Sequence, residues 1–258
     1  MKIRNLNIFG KNKKVLFKKG TAGKPAIIFF HGFPDNYFVW NEVSKDIDSS
    51  FFQVGINLED LANVPIGEAK LLFLSVLKKL DLNLGNGLYF IGHDIGGPVM
   101  SYFSEVVGQD LKGSIFLNSL DLATYKKNII SRQILKSWYA LLFQIKPYRW
   151  AIKNNLLFAQ RIFKKIAKGH EGEISFKTID FYHTFFNSLF INDDIPCLKS
   201  PTLYILSKDD PFIKIPSKNK VMGELTIIRG GHWDQFMRDS MAVRLINKKL
   251  NSWEMSHA

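Results

Sequence analysis

The chain of 258 residues has a single cysteine, Cys197, so it offers neither a disulfide framework nor a cysteine-ligated zinc site. Long apolar runs are missing too. Its apolar stretches, such as Ala26–Phe30 and residues 71–77, fall far short of the roughly eighteen residues a membrane span needs. The basic first nineteen residues lack the apolar stretch of a secretory signal, and a cytoplasmic protein is the expectation. Also absent are a Gly-x-Ser-x-Gly pentapeptide, a glycine-rich nucleotide loop and histidine or carboxylate clusters at metal-ligand spacing. An ordinary serine esterase is thereby disfavoured, and no cofactor or metal is expected. Acidic residues are scarce in one region only. The net charge is +12, yet residues 121–168 hold eleven basic residues against one acidic, while residues 1–120 hold thirteen against eleven and residues 169–258 eleven against eleven. The same basic block carries Trp138, Tyr139, Phe143, Tyr148, Trp150, Phe158 and Phe163. No nucleic-acid-binding pattern accompanies it, so no nucleic-acid partner is expected; a solvated lysine-rich face is the first reading, and weak attraction to an anionic membrane or an acidic partner the alternative.

What is present is an alternation of strand and helix patterns. Ala26–Phe30 and residues 88–92, 114–118 and 203–206 read as short apolar strands covered on both faces, with residues 51–56 and 225–228 as further strands. Residues 66–82, 96–107 and 241–250 carry apolar residues at helical spacing, and residues 3–9 and 14–18 suit an antiparallel hairpin. This is an α/β pattern, a mostly parallel sheet flanked by helices. The block after residue 120 breaks it, so a core of residues 1–119 and 197–258 is expected to carry an inserted helical cap of residues 120–196.

The sharpest local signal is Gly92-His93-Asp94-Ile95-Gly96-Gly97, where a strand meets a helix. Small residues around the turn permit a nucleophile elbow, with Asp94 at its apex. A carboxylate attacking a carbonyl would form an anhydride, whereas attack on a saturated carbon bearing a leaving group forms an ordinary ester. The expected substrate is therefore an epoxide or a carbon–halogen compound. The ester must then be hydrolysed, which calls for a histidine base and two N–H donors for the oxyanion. His31-Gly32-Phe33-Pro34 ends a strand and brings the N–H of Phe33 toward that of Ile95. His232, in Gly230-Gly231-His232-Trp233, is the candidate base, and Asp210, after the strand at 203–206, its orienting acid. Asp121 is a second, lower-ranked candidate for the acid.

In this order the motifs resemble the α/β-hydrolase fold family, in its branch of epoxide hydrolases and haloalkane dehalogenases, over about residues 14–250. The resemblance implies that Asp94 opens the epoxide, that two cap tyrosines hydrogen-bond its oxygen, and that His232-activated water releases a vicinal diol. Ser137-Trp138-Tyr139-Ala140-Leu141-Leu142-Phe143-Gln144 is similar to the first tyrosine motif and Ile179-Asp180-Phe181-Tyr182-His183 to the second, which nominates Tyr139 and Tyr182; His183 stands where arginine is usual. His31, Pro34, Trp138 and Trp233 are expected beside a small apolar epoxide substrate. Haloalkane dehalogenases usually hold halide with a tryptophan after the nucleophile and an asparagine in the His-Gly-x-Pro turn, but here Ile95 and Phe33 occupy those places. The arginines of fluoroacetate-type dehalogenases are replaced by Ile95 and Pro98. The alternatives are a haloalkane or haloacid dehalogenase using the same aspartate, and a non-catalytic binding protein on this fold. A further departure is the loop Asn57-Leu58-Glu59-Asp60, where the family usually reads Asp-x-Arg-Gly.

Overall fold

Five consecutive apolar residues, Ala26–Phe30, leave no polar face for water, and the strand they form (β3) is covered on both sides. In the computed structural model, which describes residues 1–62, 64–128, 136, 138–154, 156–167, 178–191, 198–237 and 240–257, β3 lies inside an eight-stranded sheet of order β1-β2-β4-β3-β5-β6-β7-β8. β1 (Lys2–Ile8) and β2 (Lys11–Lys18) form the hairpin, turning at Phe9 and Gly10, both with positive φ. β2 runs antiparallel to β4 (Phe52–Ile56), whereas β4, β3, β5 (Leu88–His93), β6 (Leu111–Leu117), β7 (Thr202–Ser207) and β8 (Glu224–Ile228) are all parallel.

Strand alternation sorts the core into two layers. Ile28, Phe30 and Phe90 pack with Phe73 of α2 (Ile66–Lys79) and Phe103 of α3 (Gly96–Val107). Ile27, Phe29 and Tyr89 face the other way, onto Trp40 of α1 (Trp40–Asp46) and Trp253 of the last helix, Met241–His257. Between β6 and β7 the described chain is helical: α4 (Leu122–Asn128), α5 (Trp138–Leu142), α6 (Lys146–Lys153), α7 (Leu157–Ile166) and α8 (Thr178–Ile191). The terminal helix is thus α9. Phe33 meets this insertion, its ring 4.8 Å from that of Phe143, 5.5 Å from Phe163 and 5.8 Å from Tyr182. The expected boundary at 196/197, with Cys197, falls outside the described residues. Among those described, no helix is long and apolar enough to cross a membrane.

β3 has β4 on one side and β5 on the other, so the chain reverses its winding direction between β3 and β5. The connections leaving their carboxyl ends therefore run to opposite sides and open a crevice, the place where open α/β sheets bind ligands. His31-Gly32-Phe33 leaves β3 there and Asp94 leaves β5.

Close approach of α3 to β3 is what allows this. A Cβ on Gly96 would overlap the Phe30 carbonyl oxygen and stand 2.7 Å from that of His31, and both are backbone atoms, which cannot swing aside as the end of a flexible side chain can. Gly96→Ala is expected to destabilise the fold by about 3 kcal/mol or more, read by urea unfolding. Gly67→Ala, on the open side of α2, meets nothing within 4 Å and is the control, neutral or stabilising by up to about 1 kcal/mol. Equal effects at the two sites would contradict the argument.

Candidate active site

Asp94 sits at φ +50°, a left-handed conformation that non-glycine residues rarely adopt. Its surroundings hold it there. A Cβ on Gly92 would stand 2.8 Å from Met100 Sδ, and one on Gly32 would stand 2.6 Å from Asp94 Cβ, so both positions need glycine for the turn to close. Ser119 Oγ donates to the Asp94 carbonyl oxygen. The Asp94 side chain is buried; its Oδ2 accepts the N–H of Phe33 at 3.0 Å, and the carboxylate also accepts the N–H of Ile95. Burial pushes the carboxyl pKa above its usual value, while His232 and the two N–H groups oppose the shift. The donor pair expected to face an oxyanion thus already converges on Asp94.

His232 Nδ1 lies 2.7 Å from Asp210 Oδ2, and Asp210 Oδ1 accepts the N–H of Phe212 at 2.6 Å and of Ile213 at 3.0 Å. Burial alone would lower the His232 pKa, but the charge and hydrogen bond of Asp210, with the charge of Asp94, raise it above the ordinary value. Asp210 moves the opposite way: burial raises it, and His232 and the two N–H groups outweigh that and hold it low. Asp121 is engaged elsewhere, its Oδ1 capping α4 at Thr124 N–H (2.9 Å) and its Oδ2 accepting from Tyr204 Oη at 2.7 Å.

Two polar residues not singled out in the sequence fix the histidine loop. Asn118, at φ +40°, donates to the His232 carbonyl oxygen at 2.9 Å and accepts the Ser207 N–H at 2.6 Å. His93 Nε2 contacts the same His232 carbonyl at 3.0 Å, which requires the N–H on that nitrogen. Burial and the neighbouring His232 charge lower the His93 pKa to about 3, so this ring is neutral.

Against Asp94 lies a small cavity bounded by Ile95, Pro98, Ser119, Leu120, Tyr125, Phe186 and Ile213 together with Tyr139 and Tyr182. The phenols of Tyr139 and Tyr182 hydrogen-bond each other, and burial followed by nearby acidic groups raises both pKa values well above 10. Tyr125, Ser119 and Phe186 were not read from the sequence, where nothing distinguishes them from core residues.

The other residues expected beside the substrate do not bound this cavity. His31 is fully buried beneath the turn, Nε2 accepting the Leu58 N–H at 3.0 Å and Nδ1 2.9 Å from the Gly32 carbonyl, so it supports the loop at Asn57 rather than bounding the cavity. Trp138 is exposed because the helical turn that carries Tyr139 inward carries its neighbour outward. Trp233 donates its indole N–H to Asp35 at 3.2 Å and is absent from the cavity wall. Pro34, in a cis peptide with Phe33, shapes the turn and is also absent from that wall.

A guanidinium is nevertheless present near His183. Arg149 Nη1 lies 3.1 Å from His183 Nδ1, which is itself 2.7 Å from Gln144 Oε1. Arg149 also donates to the Phe143 carbonyl at 2.5 Å, tying the end of α5 to α8 and so tying together the helices that bear Tyr139 and Tyr182. Among the described residues, no group of three or more histidine, cysteine or carboxylate side chains is arranged to hold a metal ion.

No protein-family model matches the chain. It is 26% identical to epoxide hydrolase 1 of Caenorhabditis elegans over 91% of its own length and 67% of that protein. It is also 26% identical to epoxide hydrolase 3 of Mus musculus over 49% of its length, spanning about a third, 36%, of that longer relative. Among solved structures it is similar to an epoxide hydrolase from metagenomes of hot environments, with a TM-score of 0.71 at 16% identity over 98% of both chains. An epoxide hydrolase from Bacillus megaterium superposes with the same TM-score, 0.71, at 15% identity over 96% of this chain and 100% of that one. The sheet order, the elbow and these likenesses agree: the chain has the α/β-hydrolase fold, and the relatives it resembles are epoxide hydrolases.

Proposed function

We propose that the protein hydrolyses small apolar epoxides to vicinal diols, with the helical insertion acting as a cap over the site. The observation that carries this reading is the meeting, in one cavity, of the Asp94 carboxylate with two buried, protonated phenols, Tyr139 and Tyr182. A carboxylate oxygen attacks a ring carbon from behind, the carbon–oxygen bond of the epoxide breaks, and a phenol hands its proton to the departing alkoxide. His232 Nε2, left open because Nδ1 is bound to Asp210, takes a proton from water. The hydroxide adds to the Asp94 ester carbonyl, and the N–H groups of Phe33 and Ile95 receive the oxyanion. Collapse releases the diol and restores the carboxylate, and the imidazolium proton returns to the phenolate.

The test is an epoxide panel with product analysis, beside a panel of haloalkanes and haloacids. Diol from at least one epoxide is expected. Halide release without diol formation would move the reading to a dehalogenase, and neither product from folded protein would move it to a binding protein.

Ester hydrolysis needs neutral His232, whose raised pKa delays loss of its proton to pH above 6.5. Asp210 is the larger of the acidic causes and stays charged in the ester intermediate. The single-turnover rate of ester hydrolysis is therefore expected to climb with pH through a value above 6.5 and then level. Asp210→Asn removes the pull that opposes burial, so any residual activity should level at lower pH. A wild-type plateau already reached below pH 6 would contradict this assignment.

A further inference from the structure

We propose that the outer face of α6 and α7 docks on an anionic phospholipid surface. The chain has no acidic residue between positions 122 and 170. On α6 the buried Tyr148, Ala151 and Ile152 face inward, while Lys146, Trp150 and Lys153, at i, i+4 and i+7, face water. On α7 Ala159 and Phe163 are buried, and Leu157, Phe158, Arg161, Lys164 and Lys165 are exposed. Large apolar side chains therefore stand in water among cations: Trp150 is 59% exposed, Leu157 77% and Phe158 56%. Lys153 has its own carboxylate, Asp180, at 2.5 Å, but Lys146, Arg161, Lys164 and Lys165 meet no acid among the described residues.

The combination selects the partner. A second copy of this face would set cation against cation. A nucleic-acid backbone would engage the cations and leave Leu156, Leu157 and the nearby Ile145 in water. An anionic bilayer satisfies both kinds of group at once, its phosphates and carboxylates meeting Lys and Arg while Trp, Phe and Leu enter the headgroup boundary. Leu141 of α5, the helix whose buried Tyr139 bounds the cavity, is exposed as well, so docking would bring the helical insertion that covers the site to the phase into which apolar epoxides partition.

The experiment pellets the purified full chain with vesicles of phosphatidylcholine alone or with about 30 mol% phosphatidylserine, at about 50 and about 500 mM salt. At low salt the apparent affinity for the anionic vesicles is expected to exceed that for neutral ones by about tenfold or more, and most of the excess should vanish at high salt. The double variant Lys164→Glu/Lys165→Glu should lose at least about tenfold, and Leu157→Ala/Phe158→Ala should weaken binding at both salt concentrations. Thermal midpoints confirm that the variants fold. Equal affinity for the two vesicle types, insensitivity to both variants, or binding to polyuridylate or polyglutamate without binding to vesicles would each overturn the proposal. The assay reads binding and not diol formation, so its failure is separate from failure of the epoxide hydrolase reading.

Discussion

Replacing His232 with glutamine is expected to stop turnover after the first chemical step, with catalytic turnover falling by about 10³-fold or more while the protein gains the mass of one epoxide. In the proposed mechanism ring opening uses the Asp94 carboxylate and a phenol proton, and neither depends on the imidazole. Release of the ester does depend on it, because no other neutral base is bonded to Asp210 in the described structure. His93, the nearest other ring at 4.5 Å between centroids, has a pKa of about 3 and is too weak a base to substitute. Intact-protein mass spectrometry after mixing with an epoxide that the wild type converts should show one covalent equivalent. Combining this change with Asp94→Asn should abolish the adduct, since an amide is a poor nucleophile for a saturated carbon. An adduct that persists in the double variant would place the nucleophile elsewhere, and full turnover by the single variant would remove His232 from the mechanism.

The backbone of this arrangement was readable in the sequence because each part obeys a local rule. Ala26–Phe30 has no polar residue to show water, so it had to lie within a covered sheet. Asp94 is framed by glycines that only a cramped strand-to-helix turn requires, and the Cβ overlaps at Gly92 and Gly96 give the reason. The unreadable parts depend on contacts between distant segments. Arg149 and His183 are thirty-four residues apart, so the departure at His183 was visible and the guanidinium beside it was not. Asn118 and His93 resemble ordinary polar residues at strand ends until both are found on the carbonyl oxygen of His232. Trp138 and Tyr139 are equally aromatic neighbours in a basic block, and only the rotation of α5 decides that one faces water and the other the cavity. His31 stands beside the strand-ending turn, and that both its nitrogens meet backbone groups could not be read from its place in the chain.

Changing both Tyr139 and Tyr182 to phenylalanine is expected to slow formation of the Asp94 ester by about 10³-fold or more, while either single change costs about tenfold to a hundredfold. With one phenol left, a protonated donor still reaches the departing oxygen. With neither of the pair, an alkoxide must leave into a cavity whose other walls are apolar apart from Asp94, Ser119 and Tyr125. Stability should follow a different order. The two phenols hydrogen-bond each other, so a single replacement leaves a buried hydroxyl short of a partner and costs about 1 kcal/mol or more. The double change removes both hydroxyls and keeps both rings against Phe33 and Phe143, so its stability should recover toward that of the wild type. Single-turnover kinetics separate the steps: ester formation should fall across the series, whereas ester hydrolysis, driven by His232 and Asp210, should stay within a few-fold. If activity instead tracked the thermal midpoint, with the singles worse than the double, the tyrosines would be packing residues. The opposed orders would arise because the same phenol pair completes a buried hydrogen bond at rest and, in the proposed mechanism, supplies a proton during reaction, and phenylalanine restores the first balance without restoring the second.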